Sequence, residues 1–289
     1  MPARTSGRVI GIVAVVIVGG VSVCGAQQPT LDIVVDRLGA YLVDYETKVF
    51  QLAADERYDQ WVRRLPGYGG EIVGRRKLES IFFLVRLPDS HSWLGLRDVS
   101  RVDGTAVTRP DRSMEAVLSE RTIDAVEQGL AMARANAKYN IGAAYRTINV
   151  PLQTLELLHP QHRSQFQFTA AGQARVAGQQ VWQVDFAELK KPSIITDGFG
   201  GDILARGRVW VAPLTGAVLR TELRVGGPTS AFQYPASITV EYRRDERLQL
   251  LLPSELEETY TFNIEVLHGR ASYRNYRRFE TSGRVVTPK

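Results

Sequence analysis

The chain has 289 residues, with 36 basic against 31 acidic side chains and one cysteine. Basic and acidic residues interleave instead of forming one block, which argues against a nucleic-acid partner despite the alkaline isoelectric point. The one cysteine, Cys24, falls in a leader-like N-terminus, so the mature chain is expected to lack disulfides, thiol catalysis and cysteine-ligated metal and to draw its stability from burial.

Arg4 and Arg8 precede an apolar run at 9–23, then small Cys24, Gly25 and Ala26, then polar Gln27 and Gln28. This three-part pattern predicts a secretory signal over 1–26, cut after Ala26, and a single domain over 27–289. The run falls short of the roughly 20 residues that span a membrane. Two other readings exist: an uncleaved anchor, and a lipoprotein acylated at Cys24, for which Val23 is larger than the usual preceding residue.

Thr30 is placed to cap a helix in which Leu31, Val34, Leu38, Tyr41, Leu42, Tyr45, Val49 and Leu52 recur at helical spacing. Asp32, Asp36, Arg37, Asp44 and Lys48 occupy the other face. The period then changes to two, predicting strands at 54–63, 76–87 and 93–107, with Asp103-Gly104 as a hairpin turn. Residues 113–139 read as helical and 151–158 as a short helix stopped at His159-Pro160.

Strands fill the remainder. The most legible is a hairpin over 206–225 that turns at Pro213-Leu214-Thr215-Gly216. There Val209 and Val211 share one face and Arg208 and Trp210 the other, which places Trp210 outward, in need of a covering arginine or partner. A last strand is expected over 271–280. The order of elements predicts an α+β fold: a large curled antiparallel sheet, an open half-barrel, wrapped around the N-terminal helix and the central helical segment. Its outer face would show Arg220, Glu222, Arg224, Glu241 and Arg243.

Motifs that carry chemistry are sparse. The hydrolase nucleophile elbow and the zinc-protease helix motif are absent. His159 and His162 are three apart, but Pro160 between them argues for a turn. Residues 197–205 approximate a calcium nonapeptide, with Gly198, Gly200, Asp202 and Leu204 in phase; such sites need consecutive copies, and this is one, so a glycine-rich loop is the simpler reading. Glu257 and Glu258 point to opposite faces, and Glu255 and Glu257 share a solvated one. Residues 138–151 concentrate Tyr139, Asn140, Tyr145, Arg146 and Asn149 without a period; they form either a functional loop or a buried connection, and the second is favoured. No metal or other cofactor is expected.

Three segments resemble the outer-membrane lipoprotein-carrier (LolA-like) and lipoprotein-sorting superfamily of periplasmic proteins. They are Gly207 to Val211 through the Pro213–Gly216 turn to Glu222, then Ile238 to Tyr242 leading to Leu252-Pro253-Ser254-Glu255, and the closing Gly269-Arg270-Ala271-Ser272-Tyr273. The chain is also similar to uncharacterised exported bacterial proteins. The resemblance implies an open half-barrel that holds lipid or acyl chains on its concave side. It carries over no ligand residue.

The leading expectation is an exported, non-catalytic protein, periplasmic or secreted, that binds an apolar ligand, a lipid or a lipidated partner and is peripheral to a membrane at most. Its candidate lining is Phe166, Phe168, Trp182, Phe186, Val209, Val211, Leu223, Val240, Tyr242, Tyr260 and Phe262. The same residues would also make a filled core. The alternatives are an envelope scaffold or sensor acting through protein contact, and a hydrolase with an unrecognised site.

Overall fold

The structure is a computed structural model that describes residues 29–86, 92–108, 112–120, 122–142, 146, 148–197, 200–226 and 235–279. The expected signal peptide, its cleavage site and Cys24 lie outside the described residues, as do Tyr145 and Gly198.

Helix α1 (Leu31–Lys48) begins at Thr30, whose hydroxyl accepts the Ile33 amide. Strands β1 (Leu52–Arg64), β2 (Ile72–Arg86), β3 (Trp93–Val102) and the short β4 (Thr105–Ala106) follow. Helices α2 (Met114–Leu118), α3 (Ile123–Asn136) and α4 (Gln153–Leu157) occupy the middle of the chain. Seven strands close it: β5 (Phe166–Val176), β6 (Gln179–Glu188), β7 (Arg206–Val211), β8 (Val218–Val225), β9 (Ala236–Asp245), β10 (Leu250–Phe262) and β11 (Glu265–Arg278).

All eleven strands form one antiparallel sheet in the order β4-β3-β2-β1-β11-β10-β9-β8-β7-β6-β5. The chain starts at the centre, meanders to one edge, crosses over through the helices and meanders back until β11 pairs with β1. The edges do not meet, so the expected open half-barrel is the fold observed.

Alternation sorts the side chains. On β1, Ala54, Glu56, Tyr58, Gln60 and Val62 are buried while Asp55, Arg57 and Asp59 are exposed. The buried set belongs to the face on which α1 lies, here called the inner face. There Val34, Leu38, Leu42 and Tyr45 of α1 join residues from β1, β2 and β5–β11 in one apolar cluster. Among the contacts that seat the helix, Arg37 donates to the Pro213 carbonyl (2.6 Å), Tyr45 to the Leu251 carbonyl (2.8 Å), and Trp93 Nε1 to the Val49 carbonyl (2.8 Å). Gly216 in the β7–β8 turn has φ +74°, and any Cβ there would lie 2.0 Å from the Arg37 carbonyl oxygen. Glycine is therefore what lets this turn close onto α1.

The central helices divide between the two faces. Residues 148–158, with α4, join α1 on the inner face. Helices α2 and α3 instead cover the outer face of β2 and β3, where Phe83, Val85 and Leu96 meet Met114, Leu118 and Leu130. The sequence signal for this is the unbroken run Phe82-Phe83-Leu84-Val85 on β2: a strand apolar at both parities is covered on both sides. After α3 the chain rounds the β3 edge, where the Asn136 amide donates to the Arg97 carbonyl (3.0 Å), and reaches the inner face at Ile141. This covers an edge that two-residue β4 leaves open.

Candidate ligand-binding face

Ten of the eleven predicted lining residues lie together in or against the inner cluster. Phe166 packs edge-on against Phe186 (6.0 Å between centroids) and beside Phe168 (6.5 Å). Val209, Val211, Leu223 and Val240 are fully buried beneath the helices, and Tyr242 donates to the Pro151 carbonyl (2.7 Å), tying β9 to the start of α4. Phe168 and Trp182, toward the β5 edge, are half-buried. Phe262, at the end of β10, is also half-buried and stands outside that cluster. Trp210 points outward, as alternation predicts. It is nonetheless buried, beneath the Arg220 guanidinium (5.1 Å from its centroid) and beside Val181 and Leu219.

At the middle of this apolar face sits a polar cluster. Arg146 and Glu258 are buried there, with side chains 2% and 0% exposed and Nε 3.7 Å from Oε1. Arg146 also donates to the Tyr58 hydroxyl (2.7 Å), Gln60 Oε1 (2.6 Å), Asn140 Oδ1 (3.1 Å) and the Ile141 carbonyl (2.7 Å). Glu258 accepts from the Tyr58 hydroxyl and from the Tyr260 hydroxyl (3.1 Å). One row along the sheet, Glu56 takes a two-pronged pair from Arg97 (2.5 and 2.7 Å), whose guanidinium lies 4.6 Å from the Tyr58 ring centroid.

Register explains how residues so distant in sequence meet. Gln60, Gly269 and Glu258 stand opposite one another across β1, β11 and β10. A Cβ at Gly269 would lie 2.6 Å from Glu258 Oε1 and 2.8 Å from Tyr58 Cε2. The missing side chain on β11 is what lets Tyr58 reach Glu258 across it.

Burial first, and then the neighbouring carboxylate, holds the Tyr58 and Tyr260 hydroxyls well above the ordinary phenol range; Tyr273 is raised by burial and then Glu56. Burial alone would lower the Arg97 guanidinium, but Glu56 reverses this and keeps it above its ordinary value. Two arginines thus balance two glutamates. The cluster is a balanced charge network that ties Asn140, Ile141 and Arg146 to the sheet, with Arg146 Nε and Gln60 Nε2 left without a hydrogen-bond partner among the described residues.

Sequence reasoning missed Glu56 as an inward group and gave Glu258, on the face opposite solvated Glu257, no buried partner, although a signal was present. Both share the parity of apolar neighbours, Leu256 and Tyr260 for one, Ala54 and Tyr58 for the other. A charge at an inward position demands a buried partner.

The other motifs serve local structure. Asp197 accepts the Gly201 amide (2.7 Å) and Asp202 the Ser193 amide (2.6 Å), with Lys191 3.4 Å from Asp202. The Ser193 bond first, and then Lys191, lowers the Asp202 carboxyl. His159 is buried with its Nε2 3.1 Å from Glu46, which also pairs with Arg86 (2.5 Å), while His162 contacts Gln161. Among the described residues no group of three His, Cys, Asp or Glu is placed to hold a metal, and no helix is long and apolar enough to cross a membrane.

No protein-family model matches the sequence, and no curated protein matches it. Among solved structures the chain is similar to a DUF1329 family protein from Desulfovibrio piger, at 11% identity over 89% of this chain and 94% of that one, with a TM-score of 0.39. It is similar to an outer membrane lipoprotein-sorting protein domain from Vibrio parahaemolyticus (8%, 84% and 93%, TM-score 0.40). It is also similar to a LolA superfamily protein from Nitrosomonas europaea (8%, 86% and 97%, TM-score 0.31). At these scores a likeness in layout does not extend to a shared ligand.

Proposed function

We propose that the protein is exported to the periplasm as one domain over 27–289 and binds an apolar ligand, a lipid or a lipidated partner on the inner face of the sheet, without catalysis. One observation carries this. The apolar inner face of β6–β10 is roofed by α1 and residues 148–158, which are held by side-chain packing, bonds to carbonyls and ion pairs, and not by ladder hydrogen bonds. A roof of this kind can be displaced by an apolar guest without breaking a ladder hydrogen bond. Burial of the guest at about 25 cal/mol per Å² supplies the driving force. Phe166, Phe168, Trp182 and Phe186, next to the open β5 edge, are the residues a guest meets first.

Mass spectrometry of lipid extracted from natively purified protein tests this. An acyl-bearing molecule is expected in stoichiometric amount, and less of it from Phe168→Ala. Protein that carries no such molecule and takes up no fluorescent fatty-acyl probe overturns the reading. A second reading, protein contact, is favoured by one feature: among the described residues β5 pairs only with β6, which leaves the other side of this eleven-residue strand as a sheet edge. Binding of an extended peptide along β5, with the apolar face empty of lipid, would select it.

A further inference from the structure

The sheet splits at one place. Strands β10 and β11 pair only from Glu255↔Ser272 to Phe262↔Glu265. Beyond that point Leu250–Pro253 pair with β9 alone, and Tyr273 to Arg278 with β1 alone. Two irregularities drive them apart: a register shift on β10 between Pro253 and Glu255, and one where β11 passes Asn275, at φ +54°. Among the described residues a single hydrogen bond bridges the gap, from the Tyr276 hydroxyl to the Pro253 carbonyl (2.8 Å).

In the mouth of this split lies a pocket of about 130 Å³, lined among others by Arg243, Arg244, Arg274, Asp245, Ser254 and Asn275. One water needs roughly 10–15 Å³ of such space, so a small oxyanion fits and an acyl chain does not. The three guanidinium groups outnumber the one carboxylate. Asp245 Oδ1 is occupied by the Arg247 and Leu248 amides (3.0 and 2.8 Å). Ser254 and Asn275 donate to the Glu241 carbonyl and to Asp55. Arg244 donates to Gln249, and Arg243 stands 3.7 Å from Glu241. Arg274 makes no ion pair among the described residues; Asp55, its register neighbour, is taken by Asn275 and Arg277.

The geometry points to a phosphate-binding site in this split, with Arg274 and Arg243 as its principal donors. A carboxylate offers oxygens in one plane, whereas a tetrahedral phosphate accepts from several directions at once, as arginines around an opening supply. The phosphate can come from a free ester or from a phospholipid headgroup at a bilayer.

The test uses the purified protein at low salt, where exposed charges are least screened. Inorganic phosphate, titrated by calorimetry, is expected to bind once per chain and at least ten-fold more weakly to Arg274→Gln and to Arg243→Gln. Arg208→Gln, which removes an outer-face arginine already held two-pronged by Asp185, is expected to leave binding unchanged. Arg243 and Arg274 are both exposed, so unchanged melting temperatures keep lost binding distinct from lost fold. Flotation with phosphatidylcholine vesicles, with and without phosphatidic acid, separates the sources. Capture that needs phosphatidic acid and is competed by free phosphate assigns the headgroup. Phosphate binding without capture assigns a free ester. Absence of saturable phosphate binding, or binding indifferent to Arg274→Gln, overturns the proposal.

Discussion

Glu258 is a carboxylate with no exposed surface, set among apolar residues. Left unpaired, such a charge costs several kcal/mol; here Arg146 and two tyrosine hydroxyls offset that cost. Glu258→Gln and Arg146→Gln are each expected to cost about 3–5 kcal/mol, because each strands the other partner. The double variant is expected to cost clearly less than the sum. Urea unfolding of the full cycle checks this, and additive losses would show that the two groups do not act as a pair. Trp210 is a different case. Its parity puts it on the outer face, where a cost of about 1 kcal/mol or less would be ordinary, but Arg220, Val181 and Leu219 bury it. Trp210→Ala is therefore expected to cost about 3 kcal/mol, the low end for an enclosed aromatic, and Arg220→Ala about 1 kcal/mol through the lost cation–ring contact. Denaturant midpoints for the two variants that coincide would remove the distinction.

At the scale of elements, Gly269 is the hinge between sequence and site. On continuous β11 it leaves the row of side chains open at the point where Tyr58 must cross to Glu258. Gly269→Ala is expected to cost about 1–3 kcal/mol by overpacking, and to raise Tyr58 emission or exchange as its hydroxyl loses Glu258. Gly104→Ala, where a Cβ meets nothing within 4 Å, is the contrasting turn glycine; its cost is backbone strain alone, at φ +85°. The elements themselves were largely legible. Thr30 announced α1, Asp103-Gly104 and Pro213 to Gly216 announced their turns, and alternation put Val209 and Val211 inward and Trp210 outward. These signals are local, set by caps, turn dihedrals and period. The pairing of β1 with β11 was not legible, since nothing in either strand names a partner more than 200 residues away. Arg146 was not singled out within its segment for the same reason: it lies in a connection without period, and only the register of three distant strands gives it a carboxylate. The placement of α2 and α3 on the outer face was half-written, in the two-sided apolar run of β2.

The whole molecule carries an unusual number of tyrosines in one buried layer. Tyr45, Tyr58, Tyr242, Tyr260, Tyr273 and Tyr276 all lie in the inner cluster, with Tyr41 packed against it. Burial is the first cause that raises every one of these phenols above its ordinary value; in several a neighbouring carboxylate adds to it. The sign of the effect on folding follows directly. Below pH 10 both folded and unfolded chains keep these protons, and the groups contribute no pH dependence. Above pH 10 the unfolded chain releases them while the folded chain retains them, so the unfolded state binds fewer protons and stability falls as pH rises. Each tyrosine contributes a slope of about 1.4 kcal/mol per pH unit through the interval between its unfolded and folded values. With several acting together, a net stability of about 5–15 kcal/mol is used up within one or two pH units. The expected outcome is a single cooperative alkaline unfolding above pH 10, with phenolate absorbance near 295 nm and loss of sheet circular dichroism rising together. A gradual phenolate titration that runs ahead of unfolding would show that these hydroxyls reach solvent in the native protein, and that the inner face is open to water where it is packed in this structure.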